Sequence, residues 1–175
     1  MSHHKDVPLN NAISVELWNG DDYETMSGYK LLHTSNIFMF ARFDGWNLAG
    51  IVVTRPSLIK IEQPDSIIKF FNKVIRKLYG KHVSIPLQLL QTETMRHAVE
   101  FAVENELIVS VEGLGDTDFE IVRMFGISDT GVMIKILNAD GQWVEKTNWV
   151  KISDISRMDI FDPYCTGLED YFTKA

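Results

Sequence analysis

Ser14-Val15-Glu16 followed by Asp22-Tyr23-Glu24 returns 96 residues later as Ser110-Val111-Glu112 followed by Asp118-Phe119-Glu120. Five of the eleven positions from Ser14 to Glu24 are identical at that offset, where average composition gives about one in twenty per position. Asp44-Gly45 and Asp140-Gly141 keep the same spacing. The chain therefore reads as two copies of one unit, which restricts each copy to a small core.

The repeated unit is a run of short strands. In the first copy Val15 and Leu17 alternate with Ser14, Glu16 and Trp18, the signature of a half-buried strand. Turns at 20–22 and 33–36 and the Asp44-Gly45 hairpin signal bound three further runs, 23–32, 37–43 and 48–54. The unbroken Ile37-Phe38-Met39-Phe40-Ala41 predicts burial on both faces. Pro56 interrupts the ladder before a last strand over 58–61. The second copy repeats this order over 107–112, 119–127, 132–137, 143–150 and 152–161.

Helices separate and follow the strands. Pro64-Asp65-Ser66 starts one, with Asp65 or Ser66 as cap, an apolar stripe of Ile67, Phe70, Phe71, Val74 and Leu78, and Gly80 at its end. A second runs from Thr92 to about Glu104 with Met95, Ala98, Val99, Ala102 and Val103 on one face. Leu168, Tyr171 and Phe172 predict a short C-terminal helix. Residues 1–12 read as a mobile tail and 81–91 as a connector.

Composition narrows the function classes. A net charge of −7 argues against binding nucleic acid over the whole surface, though a local basic patch is compatible with it. No apolar run approaches the roughly 20 residues that cross a bilayer, and no signal-peptide core follows Met1, so no membrane association and a cytoplasmic location are expected. The single Cys165 forms no internal disulfide.

No motif implies a reaction, a metal or a cofactor. Gly113-Leu114-Gly115 lacks the third glycine and the following helix of a dinucleotide loop, and 126–131 misses a nucleophile elbow by one residue; both read as turns. Asp22 with Glu24, and Asp116 with Asp118 and Glu120, alternate as carboxylates on one strand face, without the other ligands of a calcium loop. His3, His4, His33, His82 and His97 show no zinc spacing. Cys165 lies near Asp162 and Glu169, which disfavours a thiolate. The strongest electrostatic feature is a window without acids from Ser66 to Thr92 that holds Lys69, Lys73, Arg76, Lys77 and Lys81, the first three on one helix face. Trp18, Trp46, Trp143 and Trp149 fall within the strand units, as core or as a stacking surface.

Five short bent strands with a helix at one end resemble the small barrels of the Sm-like and Src-homology-3-like type. Phe43-Asp44-Gly45-Trp46-Asn47-Leu48 is similar to the first motif of the Sm family, and Thr54-Arg55-Pro56-Ser57-Leu58-Ile59-Lys60-Ile61 to the second. The resemblance implies an RNA-base pocket in which Asn47 and Arg55 take part, with Trp46 beside them, and subunits joined by edge strands. The second copy has no counterpart of Arg55, which concentrates any ligand contact in the first.

The expected fold is mainly β with helices, an α+β chain of two small bent antiparallel sheets or barrels of Sm-like type joined by a two-helix connector. The units are a first barrel plus helix over 13–80, a connector with the second helix over 81–106, and a second barrel over 107–175. Separate domains and one pseudo-symmetric unit paired through edge strands both fit. The expected function is a non-catalytic binding or assembly module acting through protein contacts as a homo-oligomer. The alternative is an Sm-like RNA-binding protein using Trp46, Asn47, Arg55, Lys69, Lys73 and Arg76, and the third an enzyme with a site between the repeats.

Overall fold

In a computed structural model the described residues are 3–10, 12–18, 21–45, 47–114 and 119–174. They form an α+β fold dominated by one ten-stranded antiparallel sheet. The strands are β1 (His4–Pro8), β2 (Ala12–Trp18), β3 (Tyr23–His33), β4 (Phe38–Asp44), β5 (Asn47–Thr54), β6 (Ile59–Glu62), β7 (His82–Pro86), β8 (Ile108–Glu112), β9 (Glu120–Ile127), β10 (Gly131–Leu137), β11 (Trp143–Lys151) and β12 (Arg157–Ile160). The helices are α1 (Ser66–Leu78), α2 (Leu87–Leu90), α3 (Met95–Glu104) and α4 (Pro163–Lys174), with 3₁₀ turns at Pro56–Leu58 and Ile152–Asp154. Among the described residues no helix is long and apolar enough to cross a membrane.

The sheet order is β11-β10-β9-β8-β12-β5-β4-β3-β2-β6. Both halves therefore run as a four-strand meander whose fifth strand, after a 3₁₀ turn, returns to pair with the first: β6 beside β2, and β12 beside β8. A helix follows each fifth strand and contacts the first strand of its own half, α1 on β2 and α4 on β8. The 3₁₀ turns begin 96 residues apart, the offset of the sequence repeat.

Two closed barrels do not form. The hydrogen-bonded order stays linear because β12 adds to β5, with Arg157 opposite Thr54, Met158 opposite Val53, Asp159 opposite Val52 and Ile160 opposite Ile51. This register makes one sheet of the two halves.

The apolar run in β4 is buried on both faces, as its composition predicts. Met39 joins the large core under α3 with Val53, Val99, Val109 and Met158, while Phe38 and Phe40 face the cluster of Val15, Leu17, Met26 and Val52. Helix α3 contributes Met95, Ala98, Val99, Phe101 and Ala102, all buried. Burying a side chain such as Val99 or Phe101 stabilises by about 1.5–3 kcal/mol. Thr94 caps this helix, its hydroxyl accepting from the His97 amide at 3.3 Å.

Three expectations change. The N-terminal segment is not a free tail: β1 pairs with β7, inside the supposed connector, and Leu9 is fully buried. Pairing across nearly eighty residues leaves no local trace in sequence. A 3₁₀ turn at Pro56–Leu58 leads into the run 58–61, where Pro56 supplies no ladder amide, and a second at Ile152–Asp154 opens the run 152–161. Helix α1 has its predicted cap, Asp65 Oδ1 accepting from the Ile68 amide at 2.8 Å. It packs, however, through Ile68, Phe71 and Ile75, leaving Ile67, Phe70 and Leu78 more than half exposed.

Candidate functional site

The join between the halves is held by charge as well as by backbone. Arg157, 1% exposed, donates from Nε and Nη2 to the two carboxylate oxygens of Asp159, each at 2.8 Å, and from Nη1 to Glu24 at 2.8 Å. Glu112 approaches Nη1 at 3.9 Å, and the guanidinium lies 4.6 Å from the centre of the Phe119 ring. Arg42 reaches across from the first half to Asp159 at 3.3 Å and Asp162 at 2.8 Å. Burial opposes the Arg157 charge, yet the hydrogen bonds and charges of Asp159 and Glu24 outweigh it and raise the pKa above the ordinary arginine value. The first half supplies Glu24 and Arg42, and the second supplies the rest.

The same arrangement recurs, solvated, at the end of the sheet. In the β2–β6 register Glu16 stands opposite Lys60, as Glu112 stands opposite Arg157 between β8 and β12. Lys60 Nζ binds Glu16 at 3.0 Å and Glu62 at 2.7 Å, a triad that matches Arg157 with Glu112 and Asp159. Hydrogen bonding to Glu62, then to Glu16, raises the Lys60 pKa. Where β12 continues into β5, β6 is the last strand of the sheet, and β11 is the last at the other end. Ile61 on β6 and Trp149 on β11 are exposed, Trp149 by 52%.

The residues singled out in sequence do not converge. Trp46 lies outside the described residues, as do Asp116 and Asp118. Asn47 opens β5 and its Oδ1 accepts from the Tyr79 hydroxyl at 3.1 Å. Arg55 follows the other end of the same strand, roughly 26 Å away along an extended chain, and donates from Nη2 to the carbonyls of Ser153 and Ile155, the latter at 3.0 Å. Arg55 is thus engaged at the join, beside the Thr54 hydroxyl that donates to the Ser156 carbonyl at 3.0 Å.

Lys69, Lys73 and Arg76 do share the solvent side of α1. Lys69 and Arg76, with Asn72, line an open cavity of about 670 Å³ against Asn10, Ile13 and Ile61. Asn72 Oδ1 accepts from the Tyr29 hydroxyl at 2.6 Å. Burial pushes the Tyr29 pKa up to about 12, against the lowering effect of the Arg76 charge.

Cys165 is fully buried, 3.5 Å from Ser110 Oγ; burial raises its pKa to about 11, with Asp162, Asp159 and Glu169 adding to the rise. Glu24, considered above as a metal carboxylate, is instead a partner of Arg157, and no cluster of three or more metal-ligating side chains occurs among the described residues. Sequence reasoning missed Arg157, Asp159 and Arg42. The available signal was Arg157-Met158-Asp159, a salt-bridging pair on one face of an otherwise apolar strand. No family model, curated protein or solved structure matches the chain.

Proposed function

We propose that the protein is a non-catalytic assembly module, a tandem pair of Sm-like five-stranded units that associates with further copies of itself head to tail through β6 and β11. The observation that carries this reading is the internal join, in which the fifth strand of one half completes the fourth strand of the other. The strands at the two ends, β6 and β11, each pair on one side only among the described residues. An unpaired edge presents a row of backbone donors and acceptors that a matching edge satisfies. Transferring the internal register to the ends, with Lys60 in the place of Arg157 and Val150 in that of Thr54, puts Ile61 of one copy opposite Trp149 of the next. The RNA-pocket alternative lacks comparable support, since Asn47 and Arg55 sit at opposite ends of β5.

Light scattering across a concentration series tests the reading. The expected result is a mass above 20.0 kDa, reduced to monomer by Ile61→Lys combined with Trp149→Lys, which sets two lysines opposite each other, and restored when Trp149→Glu takes the place of Trp149→Lys. A strict monomer at high concentration overturns it.

A further inference from the structure

The cavity beside α1 lies apart from the join and borders the β6 edge through Ile61 and Glu62, and its lining holds several donors. Lys69 and Arg76 form no ion pair among the described residues. The Asn72 carbonyl oxygen is taken up by Tyr29, which leaves its amide N–H groups for another acceptor. Glu62, the carboxylate in the lining, is held by Lys60 at 2.7 Å. Ala12, Ile13, Ile61 and Pro64 supply an apolar wall opposite these donors.

The helix of the second half starts 97 residues on, Pro163 against Ser66, so Thr166, Glu169 and Thr173 stand there in the places of Lys69, Asn72 and Arg76. Cys165, fully buried, and Phe172, on Trp143 with ring centres 5.4 Å apart, take the places of Ile68 and Ile75 on the packing face of α1. Two cations at these helix positions are thus a feature of the first half alone.

We infer that the cavity between α1 and the β2–β6 edge binds a phosphomonoester of mononucleotide size, with Arg76, Lys69 and the Asn72 amide on the phosphate and Ile13, Ile61 and Pro64 against the remainder. A guanidinium and an ammonium with an amide donor complement the several oxygens of a phosphate dianion. The volume lies within the range of small-ligand sites.

Isothermal titration with 5′-AMP, with adenosine and with inorganic phosphate tests this, using chemical-shift mapping to locate the ligand. The expected result is saturable AMP binding, none for adenosine, and a loss of about 10-fold or more in Arg76→Ala and in Lys69→Met. Lys77→Ala, outside the cavity, is expected to bind as the wild type does, and circular dichroism verifies that each variant is folded. Four results overturn the inference: no binding of AMP or phosphate at millimolar concentration, an equal loss in Lys77→Ala, binding only to vesicles that carry phosphatidic acid, and binding only to RNA oligonucleotides with a steep salt dependence. Because association is read separately by mass, failure of this site and failure of head-to-tail assembly are distinguishable.

Discussion

Replacing Arg157 with Met removes a buried cation while roughly preserving side-chain volume. Asp159 then loses two hydrogen bonds of 2.8 Å, Glu24 loses one, and Glu112 loses the guanidinium at 3.9 Å. Asp159 retains Arg42 at 3.3 Å, so its charge is not stranded entirely. Breaking a buried ion pair from one side costs about 3–5 kcal/mol, because the partner charge remains desolvated. Glu24 is nearly half exposed and adds little to that cost. With a urea slope of about 2 kcal/mol/M, the unfolding midpoint falls by roughly 1.5–2.5 M. The measurement is urea unfolding at pH 7 followed by tryptophan fluorescence. A loss below about 1 kcal/mol refutes the view that a buried charge network holds β12 in the sheet.

Three other outcomes follow from the same structure. Gly50 has φ +98°, and a Cβ there meets the Asp162 amide and the Ile160 carbonyl at 2.9 Å; Gly50→Ala therefore costs more than about 2 kcal/mol in thermal unfolding, whereas Gly45→Ala, at φ +55° in open space, costs about 1–2. Leu9 is fully buried, so Leu9→Ala loses about 2–5 kcal/mol and exposes the β1–β7 amides to hydrogen exchange. Cys165 and Tyr29 both have folded pKa values raised, to about 11 and about 12; each contribution is complete below the unfolded pKa and is lost as pH rises through the folded one. Urea midpoints are accordingly expected to decline between about pH 9 and 12, and Cys165→Ala to remove the lower part of that decline.

Local chemistry was legible where neighbours in sequence are neighbours in space. Pro64-Asp65-Ser66 marked the start of α1 because a cap acts over three residues. Asp44-Gly45 marked the β4–β5 hairpin, in which Gly45 takes a positive φ. The run from Phe38 to Ala41 marked a strand buried on both faces. The inward face of α1 was not legible, since Ile67, Ile68, Phe70, Phe71, Val74, Ile75 and Leu78 span much of its circumference and periodicity alone does not choose among them.

The basic window between Ser66 and Thr92 was visible in sequence, but not that Lys69 and Arg76 would meet Asn10 and Ile13 across a cavity. The resemblance to the Sm motifs implied one site for Asn47 and Arg55, yet an extended strand carries them to opposite ends.

The sequence by itself determined the order of strands, turns and helices in each half, and the spacing that relates the halves, because alternation, turn residues and caps act within a few positions. The tertiary structure decided that β1 pairs with β7, that β12 completes β5 so the halves share one sheet, and that Arg157 is buried among the carboxylates of both halves. Those outcomes depend on contacts between segments tens to more than a hundred residues apart, whose complementarity becomes physical only once the strands lie side by side.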